Sequence, residues 1–149
     1  MPGNREVIAS ALFGLVSPAA SAVVGLITSS RKLRHFDDVT PQEMPALFQA
    51  QGNETQERKN FDIPAKRTMH FALYLYTADA QQPAVIPSTQ INNMVDAIET
   101  VLLPSPVTGK QTLGGLVAHT WIEGIIEVFE CVTDDGKSIA IIPIAVLMP

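Results

Sequence analysis

The sequence predicts an α+β fold: a mainly antiparallel sheet packed by an N-terminal helix and a central helix, with a C-terminal β-hairpin. Three observations carry that prediction. Residues 65–77, AKRTMHFALYLYT, alternate with period two. Residues 88–103 place apolar side chains at helical spacing. Two apolar runs near the C-terminus flank Asp134-Asp135-Gly136-Lys137, and Asp-Gly is a strong hairpin signal because its turn needs positive φ. The 149 residues, 46% of them hydrophobic, fit a single domain over 1–149 with one sizeable core.

The first element is the charge-free stretch 7–30, VIASALFGLVSPAASAVVGLITSS. It reads in three ways. Arg5, the apolar run and Ala20-Ser21-Ala22 resemble a signal peptide. Its length, followed by Arg31-Lys32-Leu33-Arg34, suits a membrane anchor. A soluble helix over about 5–28 would bury Val7, Ile8, Ala11, Leu12, Leu15 and Val16, break at Ser17-Pro18, and resume with Ala22, Val23, Leu26 and Ile27. Ala, Ser and Gly fill half the stretch, which weakens membrane insertion, so the soluble helix is the reading adopted.

Leu33-Arg34-His35-Phe36 is expected as a first short strand, and Ala46-Leu47-Phe48-Gln49 as a second, with Pro41 and Pro45 between them. Residues 51–64, QGNETQERKNFDIP, are too polar for a core and read as an exposed loop or projecting β-arm. In the strand that follows, Met69, Phe71, Leu73 and Leu75 form the apolar face, opposite Thr68, His70, Ala72, Tyr74 and Tyr76. After a Pro- and Gln-rich loop at 78–87, a helix begins at Pro87-Ser88-Thr89-Gln90. Its stripe is Ile91, Met94, Val95, Ile98, Val101 and Leu102, and Pro104 and Pro106 stop it. Residues 116–130 and 137–148 are expected as two long strands. The second is almost continuously apolar, as for a central strand covered on both faces, although Pro143 hints at a bulge or an edge.

Chemistry is harder to find. LGGLVAHTWIEG, residues 113–124, gathers glycines, His119, Trp121 and Glu123, but as an extended strand it holds His119 and Glu123 about 13 Å apart. Gly114-Gly115 has no helix after it to bind phosphate. Around Gly109-Lys110 a P-loop would need glycine where Pro104 stands and Ser or Thr where Gln111 stands. Three histidines and one cysteine show no zinc spacing, and Asp134-Asp135-Gly136 is too short for a calcium loop. Cys131 sits among Glu130, Asp134 and Asp135, which disfavours a reactive thiolate, so a structural position is expected. No enzyme, metal or cofactor is predicted. The net charge of −5 argues against a nucleic-acid binder, and the short basic runs at 31–34, 58–59 and 66–67 read as solvated surface.

Several phrases carry a resemblance: KLRHFDDV at 32–39, QEMPALF at 42–48, NNMVDAIETVLLP at 92–104, QTLGGLVAHTWIEG at 111–124 and the closing IAIIPIAVLMP. Over about residues 30–149 the chain resembles the tail terminator (tail completion) family of long-tailed bacteriophages; residues 7–30 are more apolar than that family suggests. The resemblance implies a virion structural protein of the same α+β order, assembled with itself as a hexameric ring. Such a ring caps the tail tube at its head-proximal end, ends polymerisation of the tail tube protein and offers a docking surface to a head-completion or neck protein. It would assemble in the host cytoplasm, and phage DNA would pass its lumen without specific binding, which an acidic chain suits. A head–tail adaptor or neck ring of similar fold is the alternative, and a membrane-anchored protein a more distant one. Within the polar arm, Glu54, Glu57, Arg58 and Lys59 are the candidate contacts to the tube protein or a neighbouring subunit.

Overall fold

The computed structural model describes residues 4–61, 65–79 and 82–149; the ends of the expected arm (62–64) and part of the 78–87 loop (80–81) lie outside them. Among the described residues the elements run α1 (Arg5–Val24), β1 (Thr28–Ser30), β2 (Ala46–Glu57), β3 (Lys66–Ala78), α2 (Pro87–Val101), β4 (His119–Ile122), β5 (Glu127–Phe129) and β6 (Lys137–Leu147). The sheet order is β1-β2-β3-β6-β4, with β5 beside β4 on the same flank of β6. Every pairing is antiparallel except β1 with β2. The class is α+β, as the sequence predicts.

Both helices lie on one face of the sheet. Met69, Phe71, Leu73 and Leu75 of β3 meet Ile142, Ile144 and Val146 of β6 there, beneath Ile8, Leu12 and Val16 of α1 and Ile91, Met94 and Ile98 of α2. The period-two and helical stripes in the sequence thus converge on one core.

Helix α1 does not break at Pro18. Asn4 caps its start, accepting from the Glu6 and Val7 amides, and Gly25 ends it at φ 66°. Pro18 costs one backbone hydrogen bond, but Leu12 and Val16 before it and Ala20 after it are all fully buried, so packing on both sides holds the helix through. By length and composition α1 could cross a membrane; in this fold Ile8, Ala9, Leu12, Val16 and Ala20 are its buried line, whereas Val7 and Val23, expected inside, are exposed, as is Ile27 beyond the helix end.

Three strand expectations change. Residues 33–36 are not a strand: β1 falls earlier, at Thr28–Ser30, and Phe36–Asp38 forms a 3₁₀ turn that brings the Phe36 ring edge-on to Tyr76 at 5.1 Å. Strand β2 runs to Glu57 rather than stopping at Gln49, passing a bulge between Gln51 and Glu54. The predicted single strand 116–130 is two short strands. In an antiparallel strand a residue's N–H and C=O point to the same side. The Pro143 carbonyl accepts the Glu123 amide at 3.1 Å, so the donor that Pro143 lacks is missing on this same flank. The chain bows out through Gly124 at φ 108° and rejoins β6 at Glu127.

Strand β6 is central, but it is covered fully on one face only. Ile139, Ile141, Pro143 and Leu147 stay half-buried on the other, where the 33–45 segment lies across one end.

Candidate assembly surfaces

The second face of the sheet has two unlike ends. At the Ala46 end, Val39, Met44, Ala46, Phe48 and Tyr76 form a small second core under the 33–45 segment. Buried Lys137 fastens that segment: its ammonium donates to the Phe36 carbonyl at 2.9 Å and the Val39 carbonyl at 3.0 Å, and lies 4.7 Å from the Phe36 ring centre. Tyr76 adds a hydroxyl donated to the Arg34 carbonyl at 2.9 Å, and burial pushes that phenol up to about 12. Arg34 grips Glu43 through two hydrogen bonds of 2.8 and 3.1 Å. With the Thr40 amide also donating to it, Glu43 is held at about 2. The sequence places Lys137 at the close of the hairpin turn and the start of a strand; the turn does end there, and the side chain points back into the fold.

The rest of this face is open. Ala50, Ala72 and Pro143 form one cross-strand row, and His70, Ala145 and Trp121 another. All but Ala145 are half-buried. Trp121 stacks on His119 at 5.1 Å, and His119 Nδ1 accepts the Gln111 amide at 3.1 Å. His119 therefore props the 109–118 loop and the indole rather than pairing with exposed Glu123.

The arm is the end of the β2–β3 hairpin. Glu54 faces Met69 and Glu57 faces Lys66 across the ladder. Of the predicted contact residues, Glu54 is engaged within the chain: Arg5 donates to both its oxygens at 2.6 and 2.9 Å, and Gln56 donates at 2.6 Å. These bonds, Arg5 first, bring Glu54 to about 2. Sequence reasoning missed this clamp because its partners stand 49 positions apart. Glu57, Arg58 and Lys59 are exposed at the tip with Phe61, the signal overlooked there: the most polar segment of the chain carries an aromatic that is 96% exposed.

A third surface lies on the outer side of the helices, where Ala19 and Val23 of α1 and Asn93, Asp96, Ala97, Thr100 and Val101 of α2 line an open groove of about 640 Å³.

No group of three or more potential metal-ligating side chains occurs among the described residues. Cys131 is exposed in the β5–β6 turn at φ 52°, a conformation glycine adopts more readily, and its amide donates to Ser138 Oγ at 2.8 Å.

No protein-family model matches the chain, and no curated protein does. Solved structures do. A chain from the virion of a native gene transfer agent particle matches with a TM-score of 0.52 at 16% identity, over 95% of this chain and 98% of that one. A second solved chain matches with a TM-score of 0.57 at 15% identity, over 98% and 96%. This chain shares their fold along most of its length.

Proposed function

We propose that this chain is a structural virion protein: a subunit of a ring that caps a phage tail tube, ends its polymerisation and presents a docking surface to the head or neck. One observation carries the reading. The fold is shared along almost its whole length with a chain of a gene transfer agent virion, and the phrases at 32–48, 92–104 and 111–149 resemble tail terminators independently of that likeness. The form of the molecule agrees. Its exposed apolar groups are spread over a sheet face, a hairpin tip and a helix groove, as for contacts with other proteins. A ring needs such unlike surfaces on opposite sides of each copy. The acidic balance suits a lumen that DNA traverses without being held.

The deciding experiment is the native mass of the protein, alone and mixed with tail tube protein. Rings of about six copies, or a stable complex on tube ends that stops their growth, are the expected result. Binding to a head-side ring while tube growth continues unchecked would favour the neck or adaptor role, and a protein that stays monomeric and ignores both would sink the proposal.

A further inference from the structure

We infer that the arm tip of one copy docks into the α1–α2 groove of the next, with Phe61 as the anchor; this rests on the ring reading above. Four observations converge on it. Phe61 is almost wholly in solvent at the end of a hairpin whose base is fixed by the Arg5–Glu54 clamp. Burying such a ring removes on the order of 150–250 Å² of apolar surface from water.

The groove offers the complement. Val23, Ala97 and Val101 supply apolar walls, and the rim carries Asp96, with Glu99 exposed within one turn of it on α2. Neither carboxylate makes an ion pair among the described residues. The charges are opposite in sign. Residues 57–67 hold four cations, Arg58, Lys59, Lys66 and Arg67, against Glu57 and Asp62, in a chain whose net charge is −5. The arm is the basic pole of an acidic protein, so a second copy is an electrostatically suitable partner. Arg58 and Lys59 stand three and two positions before Phe61 in sequence, as Asp96 stands beside the apolar groove wall.

Placement rules out self-docking. Helix α1 begins at the arm base and runs away from it, so Ala19 lies about 21 Å from Arg5 along the helix axis. β2 ends at Glu57, three residues past the Glu54 that pairs with Arg5, and the four residues on to Phe61 span at most about 14 Å, so an arm cannot reach its own groove. Tip and groove are different surfaces, so their contact is head-to-tail, the kind that generates a closed ring when the rotation per copy permits.

The test uses Phe61→Ser, the pair Arg58→Glu with Lys59→Glu, and Asp96→Lys in the full chain, read by native mass over a concentration series. Each variant should keep the wild-type far-UV spectrum and weaken self-association by ~10–30-fold, as loss of an interface anchor does. Mixing Phe61→Ser with Asp96→Lys joins one intact groove to one intact arm. That mixture should recover dimers and stop there. A covalent check sets Phe61→Cys and Ala97→Cys in a Cys131→Ser chain, where oxidised glutathione should give interchain cross-links. Wild-type assembly by folded single variants, or an absence of cross-links in assembled protein, overturns the inference while leaving tube capping intact. If Phe61→Ser abolishes binding to tail tube protein but not self-association, the arm's partner is the tube and the inference fails. A wild type that stays monomeric with and without tube overturns both readings.

Discussion

The two ends of the sheet are built on different principles. At the Ala46 end, a segment without regular strands is secured by buried bonds: Lys137 to two carbonyls, Tyr76 to a third, and Phe36, Phe48 and Tyr76 in ring contact. At the arm end, a regular hairpin rests on an exposed Arg5–Glu54 pair and then runs into solvent with an aromatic at its tip. Regularity and anchoring have been separated. The irregular end holds the fold, and the regular end is free to touch something else.

The largest effect should come from Lys137→Ala. It removes two charge-assisted hydrogen bonds and leaves the Phe36 and Val39 carbonyls without their donor, for about 2–4 kcal/mol of stability. Chemical denaturation would measure it, and hydrogen exchange should show protection lost first across 33–45. A loss no greater than that of an exposed lysine would mean the segment is held by its rings alone.

Acid should affect both ends. Glu43 and Glu54, with ordinary values of 4.5, are both brought to about 2 in the fold. A carboxylate lowered on folding stabilises the native state above its unfolded value. That contribution should fade as pH falls from about 4.5 to about 2. The slope of stability against pH in this window should flatten in part with Glu54→Gln and in part with Glu43→Gln, and further with both. An unchanged slope in the double variant would place the acid sensitivity elsewhere. Both carboxylates are partly exposed, so salt should shrink the effect.

The smallest effect on stability is expected at the tip. Replacing Arg58, Lys59 and Phe61 together with serine should move folding stability by no more than about 0.5 kcal/mol, because none of the three touches the core. A thermal melt checks this, and a large shift would mean that the arm supports the fold after all.

What the sequence revealed was whatever repeats along one element. The alternation of Met69, Phe71, Leu73 and Leu75 and the stripe through Ile91, Met94 and Ile98 are local patterns, and both sit in the core as their spacing demands. Effects that pass between strands were not legible. Pro143 is a visible proline in β6, yet the strand it interrupts is its neighbour, through a bond never offered to residues 123–126. Lys137 looks like a hairpin turn residue until the 33–45 segment closes over it. Glu54 looks like a free arm charge until α1 delivers Arg5. Of the candidate contacts, exposure at Glu57, Arg58 and Lys59 followed from polarity alone, whereas Phe61 was passed over because one aromatic in a hydrophilic run carries no period.

The rims of the sheet have a further consequence. On one side β1 covers only Ala46–Phe48, and past it β2 is buckled where Gly52 and Asn53 go unpaired. On the other, the gap facing Pro143 splits the border into pieces of four and three residues. Neither margin offers a long run of backbone donors and acceptors for a stranger's strand to zip onto. The fold is thereby guarded against runaway stacking into fibrils, and its associations are left to side chains, which can be counted, matched and stopped.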